Sequence, residues 1–221
     1  MFTGIIEEIG TIQSITKGNI SARLSIHAKE ILKDVSIGDS IAVNGVCLTV
    51  FRYTENSFEA DVMHETLNRT AFATLTKGSV VNLERAMPAD GRFGGHMVSG
   101  HIDGTGKISE FRKDGIATLV RITTSPSILH YIIEKGSIAI DGTSLTVTQV
   151  LPADYAFEVS LIPHTKENTI LLTKKKGELV NLENDIVGKY IAHFLHTDTT
   201  ELIPSKRESN ITEEFLIKHG F

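Results

Sequence analysis

A chain of 221 residues, 41% of them hydrophobic, is long enough to bury one or two cores, and its formal net charge of −5 carries no basic cluster of the kind a nucleic-acid partner requires. A single cysteine, Cys47, excludes an intrachain disulfide and suits a reducing, cytoplasmic compartment. No apolar run nears the roughly 20 residues of a membrane-spanning helix, so no membrane role is expected.

In chain order, the first half reads as short strands punctuated by turn residues, the pattern of an all-β barrel or sandwich. Strands are predicted near Gly4 to Ile15, Ala22 to His27, Ser40 to Val43, Cys47 to Tyr53, Ser57 to Met63 and Val80 to Glu84. Gly18-Asn19, Gly38-Asp39, Asn44-Gly45 and Glu55-Asn56 separate them. Short helical pieces are predicted at Ala28 to Leu32 and Glu65 to Thr70. Met87 to His96 then reads as a loop. No helix N-terminus follows its Gly94-Gly95 pair, so close backbone approach or flexibility explains the pair better than a phosphate cradle does. The second half repeats the plan, with helical pieces at Pro126 to Tyr131 and Thr165 to Thr169. After Glu183 the β pattern stops. Ile186, Val187, Tyr190, Ile191, Phe194 and Leu195 recur at spacings of three and four, one apolar stripe on a helix. Pro204 ends that helix. Asn210 with Glu213 reads as an N-cap and capping-box partner for a second one through Ile211, Phe215 and Leu216, with Gly220 as its stop.

The halves are copies. Ser40-Ile41-Ala42-Val43-Asn44-Gly45-Val46-Cys47-Leu48-Thr49-Val50 matches Ser137-Ile138-Ala139-Ile140-Asp141-Gly142-Thr143-Ser144-Leu145-Thr146-Val147 without a gap. Each is a β-branched run, an Asn-Gly or Asp-Gly turn and a second apolar run, a strong hairpin signal. Turn chemistry needs only the residue pair at the turn, so the flanking matches point to duplication. Upstream, Met1-Phe2-Thr3-Gly4 matches Met97-Val98-Ser99-Gly100; downstream, Phe58 to Met63 matches Phe157 to Ile162, and Lys77 to Glu84 matches Lys176 to Glu183. A period of roughly 90 residues is a small domain and not a solenoid unit. The first residues already lie inside the first copy, so no cleaved leader is expected. Two domains, 1–96 and 97–185, with a helical tail over 186–221, are expected.

These motifs, together with Gly94-Gly95-His96-Met97-Val98-Ser99-Gly100-His101, resemble the riboflavin synthase family of lumazine-binding repeats along essentially the whole chain. The resemblance implies two six-stranded Greek-key barrels per chain, a C-terminal helix, a homotrimer, and neither metal nor organic cofactor. It also implies a transferase reaction. One 6,7-dimethyl-8-ribityllumazine donates a four-carbon unit to another held in the same active site, giving riboflavin and 5-amino-6-(ribitylamino)uracil. Two copies of one binding domain suit two identical reactants held face to face.

The same resemblance points to substrate-binding residues in both halves. In the first they are Gly4, Ile5, Ile6, Cys47, Leu48, Thr49, Asp61, Val62, Met63, His64, Glu65 and Thr66. In the second they are Gly100, His101, Ile102, Lys135, Ser144, Leu145, Thr146, Ser160, Leu161, Ile162, Pro163, His164 and Thr165. Backbone amides and hydroxyls would read the pterin edge and the ribityl chain. Ordinary core packing accounts for the side chains of Leu48, Val62, Leu145 and Leu161. His101, Cys47, Ser144, Thr49, Thr146 and Lys135 are the catalytic candidates. His101 either moves protons near neutral pH or is a structural histidine; its partner in the first copy is Ile5, so the two sites differ. Cys47 aligns with Ser144 and is either a hydrogen-bonding or nucleophilic group or a small buried residue. Thr49 and Thr146 follow from strand propensity or from ligand contact. His96 is a weaker candidate. Ser40, Asp141 and Lys135 tune the site or cap turns. A non-catalytic lumazine or flavin carrier of the same fold is the alternative function; a carrier of one ligand has no need of two intact sites.

Overall fold

The computed structural model describes residues 1–18, 20–196 and 217–218. Residues 1–188 form one compact unit holding two closed antiparallel six-stranded barrels. The first contains β1 (Glu8–Lys17), β2 (Ser21–His27), β3 (Ser40–Val43), β4 (Val46–Tyr53), β5 (Ser57–Met63) and β6 (Val80–Arg85), in the spatial order β1-β2-β5-β4-β3-β6. The second contains β7 (Gly104–Asp114), β8 (Ala117–Thr123), β9 (Ser137–Ile140), β10 (Thr143–Leu151), β11 (Ala156–Leu161) and β12 (Leu179–Asn184), paired in the same way. In each, three hairpin-linked strands are followed by a fourth that returns beside the first of them, a Greek key. Closure leaves no sheet edge to attract another chain.

The local reasons are the expected ones. Asn44 and Gly45 at φ 45° and 79°, and Asp141 and Gly142 at 44° and 80°, form two-residue turns that need positive φ at both central positions. Val43 pairs with Val46 across one turn and Ile140 with Thr143 across the other. Along β2 buried and half-buried residues alternate, with Ala22, Leu24 and Ile26 facing the barrel interior. Bulges fall at equivalent places in the two barrels: between Ile12 and Ser14 and between Ile108 and Glu110, then between Val50 and Arg52 and between Val147 and Gln149. They bend the long strands so that six can close. One core is built on Leu24, Ile26, Phe58, Val81 and Leu83, the other on Ile108, Ile122, Phe157, Val180 and Leu182.

Several predicted elements differ in detail. The first strand begins at Glu8 rather than Gly4, because Thr3 and Gly4 give their amides to the Glu84 side chain instead of to a neighbouring strand. The piece predicted at Ala28 to Leu32 is a single 3-10 turn, Glu30–Leu32. The other short helices are α1 (His64–Arg69), α2 (Pro126–Leu129) and α3 (Pro163–Asn168). The stripe after Glu183 forms α4 (Ile186–His196), whose Val187, Tyr190, Ile191, Phe194 and Leu195 are all exposed. The second tail helix, from Asn210 to Gly220, lies outside the described residues apart from 217–218.

The barrels meet about a pseudo-twofold axis. Phe2 and Val98, matched positions of the two copies, pair as an antiparallel bridge, with Phe2 N–H donating to Val98 O at 2.7 Å and Val98 N–H to Phe2 O at 3.1 Å. With Ala42 and Ala139 they form a small apolar cluster of their own. Asn82 and Asn181 are exchanged across the same axis. Asn82 Nδ2 donates to Asp141 O and Asn181 Nδ2 to Asn44 O, both at 2.9 Å. Asn82 Oδ1 accepts from Ile170 N–H at 2.9 Å, and Asn181 Oδ1 from Ala71 N–H at 2.7 Å. All these groups are buried, where an unmet partner is costly. In the second repeat Lys174 Nζ lies 3.1 Å from Asp141 Oδ2. Burial pushes the Asp141 carboxyl up, against the pull of that ammonium.

Candidate functional site

Each hairpin is completed by the opposite repeat. Gly4 O accepts from Ser144 N–H at 2.8 Å, and Gly100 O accepts from Cys47 N–H at 2.9 Å. Both glycines are required. They sit at φ 78° and 84°, and a Cβ on Gly4 would stand 2.6 Å from Ser144 Cβ, as one on Gly100 would from Cys47 Cβ. Ile102 follows its glycine onto the first barrel and packs against that barrel's core. The geometry adds which loop meets which hairpin, which the listing by repeat leaves open. The structure brings Gly4 to the Ser144 hairpin, and Gly100 and Ile102 to the first barrel beside the Cys47 hairpin. A repeat alignment pairs like with like, whereas the twofold axis places each N-terminal loop on its neighbour.

In the first barrel Cys47, Leu48, Thr49, Asp61, Val62, Met63 and Thr66 line one cavity of about 470 Å³, with Ile37, Gly38, Val50 and Phe51. These come from β4, β5 and the start of α1, where His64 and Glu65 also stand. Leu48 and Val62 are buried in the core, whereas Thr49, Asp61 and Met63 are exposed. On the rim the Arg23 guanidinium grips the Asp61 carboxylate through Nε and Nη2, at 2.8 and 3.0 Å, and holds that carboxyl below its ordinary range.

The corresponding wall of the second barrel is Ser144, Leu145 and Thr146 of β10, then Ser160 and Leu161 of β11 and Ile162, followed by Pro163, His164 and Thr165 of α3. Leu145 and Leu161 are again core residues, and Thr146 is exposed. Lys135 replaces Gly38. Both residues donate their N–H to the strand that follows, Lys135 to Val147 O at 2.8 Å and Gly38 to Val50 O at 2.9 Å. Both have positive φ, 64° for Lys135 and 96° for Gly38. A lysine in this region of backbone space is strained, and such strain gathers at functional sites.

One group outranks its place in the sequence reading. His96 is 7% exposed, and its Nδ1 lies 2.7 Å from Ser144 Oγ. Its Nε2 is buried without a hydrogen-bond partner among the described residues. Burial pushes the imidazolium down, against a weaker pull from Asp185. Sequence spacing could not pair His96 with a residue 48 positions away. The signal was the adjoining Gly94-Gly95. A Cβ on Gly95 would lie 2.1 Å from Thr3 O and 2.9 Å from Ser144 Cβ, so close backbone approach accounts for that glycine. His101, by contrast, is exposed, and its N–H donates to Ser99 Oγ at 3.3 Å.

The Lumazine binding domain family model matches residues 3–86 and 99–185. The chain is 55% identical to a riboflavin synthase of Actinobacillus pleuropneumoniae and 49% identical to one of Bacillus amyloliquefaciens, in both cases over 100% of this chain and of the relative. The crystal structure of LumP complexed with 6,7-dimethyl-8-(1'-D-ribityl) lumazine is similar at a TM-score of 0.75 and 28% identity, covering 83% of this chain and 99% of that chain. With both repeats matched and full-length relatives above half identity, the chain belongs to the riboflavin synthase family, built on a tandem pair of lumazine-binding domains.

Proposed function

We propose that this chain converts two molecules of 6,7-dimethyl-8-ribityllumazine into riboflavin and 5-amino-6-(ribitylamino)uracil by transfer of a four-carbon unit. The observation that carries the reading is the matched pair of hairpin sites, each finished by a glycine carbonyl of the other repeat, in a chain 55% identical along its length to a riboflavin synthase. A dismutation needs two identical molecules held in opposed orientations. Two sites related by a twofold operation provide such holders, and fixing both reactants removes several kcal/mol of entropy from the barrier.

The residues take parts that suit their places. Exposed backbone edges and the hydroxyls of Thr49 and Thr146 read the ring, and Asp61 to Thr66 and Ser160 to Thr165 hold the ribityl chains. With the His96 proton on Nε2, Nδ1 accepts from Ser144 Oγ–H, so the neutral imidazole is a base poised on that hydroxyl. The hydroxyl can pass on a proton taken from a ring methyl. Lys135 supplies positive charge to the pterin edge. Cys47 stands where Ser144 does, with no histidine bonded to it among the described residues. The second-repeat site thereby has the stronger proton-transfer apparatus.

The exposed face of α4 supports assembly, because Phe194 and Leu195 are 71% and 78% exposed and apolar surface of that kind is ordinarily covered. The proposed assembly is a homotrimer, with each active site between the first barrel of one chain and the second barrel of the next, in the cytoplasm. The domain limits 1–96, 97–185 and 186–221 belong to the same reading. Incubation with the lumazine and observation of riboflavin absorbance tests the activity. Tight binding without riboflavin would favour a carrier, the second reading, in keeping with the likeness to LumP, whose crystal structure holds the lumazine as a bound ligand.

A further inference from the structure

We propose that Glu84 and Glu183 are crossed positioning residues: each sits in one barrel and sets the lumazine site of the other. The inference rests on the proposed function and assigns a part to two buried carboxylates outside the sites themselves.

Glu84 is the next-to-last residue of β6 in the first barrel, at 4% exposure, and Glu183 occupies the matched place in β12 of the second at 0%. Glu84 Oε1 accepts from Thr3 N–H at 2.6 Å and from Thr3 Oγ1–H at 2.8 Å, and Oε2 accepts from Gly4 N–H at 3.0 Å. Glu183 Oε1 accepts from Ser99 N–H at 2.6 Å and Ser99 Oγ–H at 2.7 Å, and Oε2 from Gly100 N–H at 3.0 Å. The glycine so held turns its carbonyl to the other barrel, Gly4 to Ser144 N–H and Gly100 to Cys47 N–H. The result is two three-part relays, Glu84–Gly4–Ser144 and Glu183–Gly100–Cys47. Each runs from a carboxylate in one barrel to the substrate hairpin of the other.

Charge matters to this device. A carboxylate offers two acceptor oxygens to donors that converge on it, and charge-assisted bonds of this kind are the short, strong ones. A glutamine offers one acceptor. Its other terminal atom would meet the Gly4 or Gly100 N–H donor to donor. Burial, with the nearby Glu7 charge, pushes the Glu84 carboxyl up, and the converging Thr3 and Gly4 donors work against that push in favour of the charged form. A carboxylate that merely cemented its own barrel would need no bond to a glycine whose carbonyl leaves that barrel.

The test uses the full-length protein, with lumazine titrated while the backbone amide resonances of Cys47 and Ser144 report each site separately. In Glu84→Gln, affinity read at Ser144 is expected to fall about tenfold, while affinity read at Cys47 stays within about twofold; Glu183→Gln should do the reverse. Hydrogen exchange should quicken at the same single amide with no ligand present. Thr3→Val and Ser99→Ala, which delete one hydroxyl donor each, should give smaller shifts of the same sidedness and decide the matter if a glutamine variant does not fold. Equal losses at both sites, a loss in the barrel that carries the substitution, or no change at either would overturn the proposal. Failure of wild-type protein to respond to lumazine would sink the functional reading instead; the exchange measurement would still judge the crossed relay.

Discussion

His96 Nδ1 stands 2.7 Å from Ser144 Oγ, whereas His101 is exposed. The contact joins the loop between the repeats to the hairpin of the second. His96→Gln is expected to lower kcat by about 10²-fold, the usual range for a general base, with KM little changed. The pH dependence follows from the direction of the shift. Burial holds the imidazolium below its ordinary 6.5, so the neutral form persists through neutral pH. Activity should be flat there and fall only at more acidic pH, through the lowered folded value, an acid limb that His96→Gln removes. Stability follows the same sign. The unfolded histidine takes up its proton first, so the contribution is complete above the ordinary value and is lost as the pH falls through the folded one.

Cys47→Ser is expected to keep reduced activity, because Ser144 occupies the matched place in the second repeat. Complete loss of turnover with intact binding, read by steady-state kinetics beside a binding titration, would indicate thiolate chemistry at Cys47. His101→Gln should slow turnover by about 10²-fold if its ring moves protons once two chains meet, and wild-type kinetics would make it structural.

Each chain should bind two lumazine-type ligands, and calorimetry should resolve unequal affinities. Lys135 stands where the first repeat has Gly38, and the Arg23–Asp61 pair of the first barrel is replaced by Leu119 and Ser160 at the matched strand positions of the second. A single site per chain would contradict the duplicated-site argument.

Gly95→Ala should destabilise the protein by about 1–3 kcal/mol in denaturant melts, the usual cost of overpacking, because the new methyl collides with a backbone oxygen. Gly94→Ala is the control. Its Cβ meets only the exposed Ile5 side chain at 3.1 Å, which can move aside.

A chain ending at Asp185 should fold and bind ligand, yet sediment as a smaller species and be nearly inactive. Normal sedimentation and turnover would exclude both helix-driven assembly and a site shared between chains.

The sequence carried the barrels well, because duplication doubled every signal. Asn44-Gly45 and Asp141-Gly142 fixed both hairpins, and the burial of Leu48, Val62, Leu145 and Leu161 follows from strand alternation. It carried the crossing poorly. Gly4 and Ser144 are far apart in sequence, and their contact depends on how one barrel docks on the other, which no local period encodes. The first strand starts later than the sequence pattern for the same reason, since the donors of Thr3 and Gly4 turn to a buried carboxylate about 80 residues away.

The exchange of Asn82 and Asn181 has a thermodynamic consequence. Each barrel supplies the other with hydrogen-bond partners that it cannot replace from its own strands: Asn82 for Asp141 O and Ile170 N–H, Asn181 for Asn44 O and Ala71 N–H. Opening either barrel alone strands these groups in the one that remains, at about 1–3 kcal/mol for each. Half-unfolded species are thereby penalised. Residues 1–188 should melt in a single all-or-none transition, with calorimetric and van't Hoff enthalpies equal, although the topology contains two closed sheets. Asn82→Ala should split that transition in two before it abolishes the fold.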